Sequence, residues 1–175
     1  MTEGAGPQVR LRPVTEQDLD PLDDMFADPE AIGEYNWSGF SDPVKWRRKW
    51  QDNGLLGEDY SVLIVDLNGE PLGFVSWHRL PTSPHAHVAE FGISLWPRWR
   101  GKGYGTAAQE ALARYLFAHS PVNRIQAWTD AENLAEQRSL EKAGFVREAV
   151  LCEYAFRDGA WRDQVLFRML RRELP

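Results

Sequence analysis

The chain has 175 residues, of which 26% are charged and 43% are hydrophobic, and its formal net charge is −6. This length favours one domain with a real hydrophobic core, and the composition is ordinary for a globular protein. Outside one short loop the sequence shows no basic stripe of the kind that binds nucleic acid, so we expect no nucleic-acid partner. The mild acidic surplus favours a cationic partner, but only slightly.

Cysteine content and hydropathy favour a cytoplasmic protein. The single cysteine, Cys152, excludes an intrachain disulfide and agrees with a reducing compartment. No apolar run approaches the roughly 18 residues that span a bilayer. The stretch MTEGAGPQ lacks the charged and apolar regions of a signal peptide. We therefore expect a disordered tail over residues 1–8, one domain over 9–175 and no membrane contact.

The N-terminal part of the chain predicts a strand followed by a helix. Residues 9–14 alternate in hydropathy, as a half-buried strand does. Thr15, with Asp18 three residues later, is a capping pattern for a helix that runs to about Ala27. Residues 28–40 form a broken, aromatic connection.

A second helix and a hairpin follow. Pro43 opens the helix and Gly54 closes it. Residues 60–80 contain two β-rich runs around Asn68-Gly69. This dipeptide is a strong hairpin signal, because both central positions of the turn require positive φ.

The second half of the chain alternates strands and helices. A strand over 87–96 leads through a glycine loop into a helix at about 105–119, and a strand over 123–129 precedes a helix over 133–144. Two further strands are joined at the turn 158–159. The order β-α-α-β-β-β-α-β-α-β-β predicts a mixed α/β (α+β) domain. Two β-α-β crossovers near the middle imply a locally parallel centre in an otherwise antiparallel sheet.

The stretch EFGISLWPRWRGKGYGTAAQEALARYLF, residues 90–117, raises the question of function. The strand ends at Pro97, and a loop with three basic residues and three glycines leads into the helix. The basic residues are Arg98, Arg100 and Lys102, and the glycines are Gly101, Gly103 and Gly105. Backbone N–H groups at a helix start form a concave donor surface with about half a positive charge. Glycines let an anion approach without a Cβ in the way. The ligand that best fits such a loop is a phosphate or pyrophosphate, although the glycines could also make only a tight turn.

Several common site types are excluded. The P-loop pattern fails because no glycine stands five residues before Gly101 and no serine or threonine follows Lys102. The dinucleotide fingerprint fails because its third glycine would fall at Thr106, which argues against a nucleotide-dependent oxidoreductase. The histidines have no second metal-ligand motif nearby, so we expect no metal site.

Two motifs together resemble a known family. Arg100-x-x-Gly103-x-Gly105 lies between a strand and a helix, and N…LEKAGF follows about 30 residues later. This combination resembles the GNAT superfamily of acetyl-CoA-dependent N-acetyltransferases, over nearly the whole chain from VRLRPVTEQDLDPL to WRDQVLFRMLRREL. The segments WSGF, EKAGF and DGAWRDQVLF are most similar to the branch that contains ribosomal-protein N-terminal acetyltransferases. That branch also contains enzymes for small amines, including antibiotic-modifying ones.

The resemblance implies the fold and the cofactor. The fold would be a single domain with a mostly antiparallel sheet that splays open near its middle, with helices on both faces. Acetyl-CoA would be the co-substrate, with its pyrophosphate on the loop amides and its pantetheine arm along the preceding strand. The implied cofactor-binding residues are Ile93, Ser94, Leu95, Arg100, Gly101, Lys102, Gly103, Tyr104, Gly105, Thr106 and Asn133.

The resemblance also implies an acceptor. The acetyl group would pass directly, in a ternary complex, to a primary amine of a protein N-terminus, a metabolite or an antibiotic, and a homodimer is compatible with this. The implied acceptor-binding residues are Tyr35, Trp37, Phe40 and Glu90. The aromatic residues could instead serve only to pack two short helices against the rest of the domain. A catalytically inactive CoA-binding sensor or interaction module is the alternative.

Glu90 is the candidate general base. Alternation in the strand puts Glu90, Gly92 and Ser94 on one face, which can line a cleft, and the apolar residues on the other. Many family members keep a carboxylate at this position that takes the amine proton, often through water. Glu90 could also be a surface carboxylate or an anchor for the amine.

The acid that protonates the departing thiolate is open. Many relatives place a tyrosine seven residues after the asparagine that opens the later helix, but this position is Leu140 here. The branch named above often has a serine three residues after the asparagine, and here this position is Glu136. Glu136 could act as the acid, bind a cationic substrate, or only complete a capping box with Asn133. Ser139, Tyr154 and solvent are lesser candidates.

Overall fold

A computed structural model gives the fold of this chain and describes residues 8–174. The predicted tail over 1–8 lies outside the described residues except for Gln8, which is exposed. The described strands are β1 (Arg10–Pro13), β2 (Tyr60–Leu67), β3 (Glu70–Ser83), β4 (Ala86–Leu95), β5 (Arg124–Asp130), β6 (Val146–Arg157) and β7 (Ala160–Leu170). The described helices are α1 (Glu16–Ala27), α2 (Pro29–Ile32), α3 (Lys45–Asn53), α4 (Tyr104–His119) and α5 (Leu134–Lys142).

Local signals account for most of these elements. Thr15 and Asp18 form the predicted capping box at the start of α1. Asn68 and Gly69 adopt positive φ angles of 54° and 92°, as the predicted hairpin turn between β2 and β3 requires. The short helix α2 lies inside the connection that we expected to be irregular. Asp28 caps this helix, because its side chain accepts a hydrogen bond from the N–H of Glu30. Pro29 follows at the first helical position, where proline is favoured.

The strands form one mixed sheet in the order β1-β2-β3-β4-β5-β7-β6. The pair β4–β5 is parallel and the other neighbouring pairs are antiparallel, which confirms the predicted mixed sheet with a parallel centre. The second crossover does not add a parallel neighbour, because β7 lies between β5 and β6. The β6–β7 hairpin places its second strand beside β5, so β5 and β6 run parallel without touching.

The sheet splays open between β4 and β5, as the family resemblance implied. The ladder between these strands in the described chain contains two residue pairs, Ala89 with Ile125 and Glu90 with Gln126. By contrast, β4 stays paired with β3 as far as Leu95. A gap therefore opens beside the second half of β4, immediately after Glu90.

Each face of the sheet has its own hydrophobic core. The larger core packs α4 and α5 on one face through residues such as Leu112, Leu116 and Leu140. The second core packs α1, α2 and α3 against β2 and β3 on the other face, with Leu22 and Ile64 fully buried. The helices thus cover both faces of the sheet. None of the helices in residues 8–174 has the length and hydropathy of a membrane span.

Candidate active site

The glycine loop leaves open space at the start of α4. Gly101 and Gly103 have φ angles of 71° and 82°, which are left-handed values that a side chain disfavours. A Cβ added to Gly101 would meet no heavy atom within 4 Å. Gly103 is the residue that caps α4, so the loop N–H groups lie at the positive end of a helix of 16 residues. This arrangement fits an anion such as a pyrophosphate.

A cavity of about 400 Å³ runs from this loop to the gap in the sheet. Most of the predicted cofactor-binding residues lie in its wall: Ile93, Ser94, Leu95, Arg100, Gly101, Gly103, Gly105, Thr106 and Asn133. Lys102 and Tyr104 are not among the residues that line it. Their side chains instead lie against Trp99, with the Lys102 ammonium 5.1 Å and the Tyr104 ring 5.9 Å from its ring centre.

The side chain of Arg100 donates to backbone carbonyls in two elements of the cavity wall. Its Nε donates a hydrogen bond of 2.8 Å to the carbonyl of Leu95, and its Nη2 donates to the carbonyl of Ala31 in α2. Burial lowers the pKa of this guanidinium. Arg100 therefore joins the end of β4 to α2. The cations of α5 that line the same cavity are Arg138 and Lys142, a pair four residues apart that the sequence analysis missed.

The backbone of β4 presents donors to the gap. The N–H of Trp96 donates to the carbonyl of Leu72 in β3, at 3.0 Å. Alternate residues of an antiparallel strand point the same way. The N–H groups of Ile93 and Leu95 therefore point away from β3 and toward the gap, on the strand along which the family resemblance implied the pantetheine arm.

Glu136 lies at the far end of the cavity in a hydrogen-bonded cluster. Gln109 of α4, which is fully buried, donates a hydrogen bond of 2.6 Å to Oε1 of Glu136. Ser139 donates to the amide oxygen of Gln109 at 3.3 Å and lies 3.1 Å from the hydroxyl of Thr106. Burial raises the pKa of Glu136 to about 7, while the hydrogen bond from Gln109 acts to lower it. The carboxyl is thus divided between its two protonation states near neutral pH.

Only half of the predicted capping box is formed. The side chain of Asn133 accepts a hydrogen bond of 3.2 Å from the N–H of Glu136, so it caps α5. The N–H of Asn133 donates to the carbonyl of Asp130 rather than to Glu136. The capping box is therefore incomplete, because the carboxyl of Glu136 accepts a hydrogen bond from Gln109 rather than from the N–H of Asn133. Leu140, where many relatives have a tyrosine, is fully buried in the core.

A second, smaller cavity of about 110 Å³ lies between β4 and β5. The residues that line both cavities are Tyr35, Asn36, Ile93, Asn133 and Glu136. The residues that line the second cavity alone are Phe91, Gly92, Ala127, Trp128, Thr129, Asp130 and Gln164. A molecule in one cavity would therefore meet a molecule in the other beside Ile93 and Glu136.

Glu90 lies at the base of the gap, behind the second cavity. Its Oε2 accepts a hydrogen bond of 2.9 Å from the side chain of Gln126 and another from the indole N–H of Trp128. Both bonds fall on the same oxygen. Trp128 is half-buried, lines the second cavity and orients Glu90. Tyr154 stacks on it with ring centres 5.4 Å apart.

The predicted acceptor-binding aromatics separate into two groups. Tyr35 lines both cavities. Trp37 and Phe40 line neither; they contact each other edge to face with ring centres 5.2 Å apart, and Phe40 is 86% exposed. Trp37 also packs against the second core. Within residues 8–174 no group of three or more histidine, cysteine, aspartate and glutamate side chains is placed to hold a metal ion.

Comparison with known proteins gives the family. A profile of the acetyltransferase (GNAT) domain matches residues 8–146. An uncharacterized N-acetyltransferase, p20, of Bacillus licheniformis is 28% identical over 171 residues, which cover 95% of this chain and 94% of that protein. The [ribosomal protein uS5]-alanine N-acetyltransferase of Escherichia coli strain K12 is 34% identical over 80 residues, which cover 46% of this chain and 41% of that enzyme.

Solved structures show the same fold. Spermidine N-acetyltransferase from Vibrio cholerae, in complex with CoA and spermine, superposes with a TM-score of 0.83 at 21% identity and covers 95% of this chain and 98% of that one. The chain belongs to the GNAT family of acetyltransferases. It is an N-acetyltransferase with acetyl-CoA as its co-substrate. The resemblance found in the sequence is confirmed, and the alternative of an inactive module has no support.

Proposed function

We propose that this enzyme acetylates a primary amine by direct transfer in a ternary complex, and that the acceptor is a small amine or the α-amine of a protein N-terminus. The observation that carries the proposal is the meeting of the two cavities beside Ile93 and Glu136. The larger cavity begins at a glycine loop suited to pyrophosphate. The smaller one opens on the side of β4 where Glu90 lies.

The larger cavity would hold acetyl-CoA. The N–H groups of residues 101–105 would bind the pyrophosphate, since the N–H of Arg100 donates to the carbonyl of Pro97. Arg138 and Lys142 in the same wall would supply positive charge. The N–H groups of Ile93 and Leu95 would pair with the pantetheine arm and meet the oxyanion as it forms. Preorganised backbone donors in a site that excludes water are worth more than donors in solution. Arg100 would act by joining this wall to α2.

Glu90 would accept the proton that the amine must lose. The carboxylate lies behind Trp128 rather than in the cavity wall, which suits transfer through a water molecule. Trp128 and Gln126 hold Oε2, so a water molecule would approach through Oε1. As the new C–N bond forms, the C–S bond breaks, and the thiolate then requires a proton.

Glu136 would supply that proton. It lines both cavities, and its pKa of about 7 keeps a substantial protonated fraction at neutral pH. A free thiol has a pKa of about 8.5, so a carboxylic acid in contact with the thiolate can protonate it readily. The position seven residues after Asn133, where the family resemblance implied a tyrosine, holds the buried Leu140, which carries no proton to donate.

The smaller cavity would hold the reactive end of the acceptor. A volume of about 110 Å³ admits an amine and a few attached atoms rather than a whole large molecule. The rest of the acceptor would lie outward, past Tyr35 and along Trp37 and Phe40. This shape suits both a small amine and the first residue of a chain. A cytoplasmic location, a homodimer and the domain limits 9–175 stay predictions.

Thiol release from acetyl-CoA, measured with a panel of primary amines and N-terminal peptides, tests this proposal. We expect release with at least one primary amine, together with an acetylated product whose mass rises by one acetyl group. A matched secondary amine and a matched alcohol should be inert controls. Binding of acetyl-CoA in calorimetry with no thiol release by any amine would overturn the proposal.

A further inference from the structure

A buried ion pair closes one side of the acceptor cavity. Arg157, at the end of β6, donates from Nη2 to Oδ2 of Asp130 at 2.6 Å. The two side chains are 12% and 3% exposed. The other carboxylate oxygen of Asp130 accepts a hydrogen bond of 2.9 Å from the N–H of Glu132. Asp130 is among the residues that line the cavity and Arg157 is not, so the charge of Asp130 is balanced from outside the cavity wall.

Arg157 also holds the aromatic wall of the same cavity. Its Nη1 donates to the carbonyl of Glu34 at 3.3 Å, and its guanidinium carbon lies 4.9 Å from the centre of the Tyr35 ring. Tyr35 donates in turn to the carbonyl of Glu132 at 3.4 Å. Arg157 therefore sets the position of Tyr35 and the net charge at Asp130 together.

The carboxylate of Glu34, which also acts on Arg157 and Tyr35, is exposed, and the other carboxylates near this pair are exposed as well. Asp158 is 3.7 Å from Arg157 but its side chain is 63% exposed, and Glu132, 66% exposed, is 3.7 Å from Arg162. Solvent screens charges with this exposure. A buried carboxylate without its partner would instead attract a cation strongly, because its field is poorly screened. With Asp130 balanced, the half-buried carboxyls near the acceptor cavity that lack a cationic partner among the described residues are Glu136 in its wall and Glu90 behind Trp128.

We infer that Arg157 determines acceptor specificity: by neutralising Asp130 it makes the cavity favour acceptors with a single ammonium group over diamines and polyamines. The reactive amine enters beside Glu136 and reaches Glu90 through water, whereas a second ammonium group finds no unpaired carboxylate at Asp130. The inference rests on the proposed function, since it takes the smaller cavity as the acceptor site. The fold neighbour from Vibrio cholerae was solved with spermine, a polyamine, so the shared fold does not itself dictate this selectivity.

Two pairs of acceptors with matched chain length test the inference: pentylamine with 1,5-diaminopentane, and norvalinamide with ornithinamide. The quantity measured is the ratio of kcat/KM for the doubly charged to the singly charged member. A pair that is not turned over is assayed by competitive inhibition against the best amine of the panel. The wild type should favour the singly charged member of each pair by about tenfold.

The variants should move this ratio in opposite directions. Arg157→Gln exposes the charge of Asp130 and should raise the ratio by about tenfold, whereas Asp130→Asn leaves Arg157 unbalanced and should lower it by about tenfold. The double variant should return near the wild-type ratio, and Arg157→Lys, which keeps the charge, should retain it. Circular dichroism and the melting temperature control for folding.

A purely structural role predicts a different outcome. Loss of Tyr35 positioning alone would raise KM for both members of a pair together and leave their ratio unchanged. A constant ratio across the variants, or a shift in the same direction for Arg157→Gln and Asp130→Asn, overturns the inference while leaving the proposed function intact. A different result, the absence of thiol release by the wild type with every amine tested, would overturn the proposed function.

Discussion

Gln109 donates a hydrogen bond of 2.6 Å to Glu136 across the space between α4 and α5. Two opposing effects meet in this contact. Burial raises the pKa of Glu136 to about 7, and the donated bond acts in the other direction because it favours the carboxylate. The result is a carboxyl that can hold a proton at neutral pH and still release it.

The first prediction concerns the rate at high pH. If Glu136 protonates the thiolate, kcat of the wild type should fall as pH rises through about 7, because the required form is the protonated one. Glu136→Gln keeps the shape and should lower kcat by about 10²-fold, the lower end for acid catalysis. The variant should also lose the decline above neutrality. A variant with unchanged kcat and a raised KM for the amine would show instead that Glu136 binds the acceptor.

The second prediction concerns stability. The pKa of Glu136 is raised in the folded state, so between pH 4.5 and 7 the native protein binds more protons than the unfolded chain. Stability due to this group is therefore present below pH 4.5 and is lost as pH rises to about 7. Relative to Glu136→Gln, the wild type should lose up to about 3 kcal/mol across this range, since one pKa unit is worth about 1.4 kcal/mol. Urea unfolding of both proteins at several pH values measures this difference, and parallel curves would contradict it.

The parts of the site that could be predicted from sequence depend on local chemistry. The glycine loop and the hairpin turn need backbone conformations that few residues adopt, and a helix cap needs a particular side chain at a particular place. Asn133 could be assigned to the start of α5 for that reason. The position of Glu90 on the cleft face followed from the two-residue period of a strand.

The rest depends on contacts between distant parts of the chain. Arg100 was expected to add charge beside the loop, but its side chain reaches 69 residues back to Ala31. The partner of Glu136 lies 27 residues earlier, on another helix. Neither contact leaves a periodic signal in the sequence. The position of β7 between β5 and β6 could not be predicted from local sequence either, because long-range packing determines which strands are neighbours.

The third prediction tests the loop. Gly103→Val should place a branched side chain where the anion would lie and lower acetyl-CoA affinity by at least about tenfold, or 1.4 kcal/mol. Calorimetry with acetyl-CoA measures this change. Gly69→Val is the matched control, because Gly69 has a similar φ of 92° and lies in a hairpin turn with no heavy atom within 4 Å of an added Cβ. Equal affinity in folded Gly103→Val protein would remove the loop from the cofactor site.

The fourth prediction concerns the close approach of β3 to β4. A Cβ added to Gly73 would lie 2.1 Å from the carbonyl oxygen of Ser94 and 2.6 Å from the Cα of Leu95. These are backbone atoms beside the gap, so they can move only if β4 moves. Gly73→Ala should lower the free energy of unfolding by about 3 kcal/mol, the upper end for overpacking, and weaken acetyl-CoA binding as β4 shifts.

Gly92→Ala is the control for this prediction. A Cβ at Gly92 would meet the hydroxyl of Ser76 at 3.6 Å, which is an ordinary contact. Its stability should change by less than about 1 kcal/mol, as expected where no strain is created. Similar denaturation midpoints for Gly73→Ala and the wild type would show that β4 accommodates the added atom.

The last prediction concerns Glu90. A base that takes the amine proton matters most when the amine arrives charged, and alkyl amines and α-amines have pKa values near 10.4 and about 8. Glu90→Gln keeps the shape and can still accept a hydrogen bond from Trp128, but it removes the charge. Turnover should fall by roughly 10²-fold, and acetyl-CoA binding should change little, because the β4 donors proposed to contact the cofactor are backbone groups. The loss should shrink as pH rises, since more of the amine is then already neutral. A variant that keeps its turnover while the KM for the amine rises would make Glu90 an anchor, and the proton would then leave by another route.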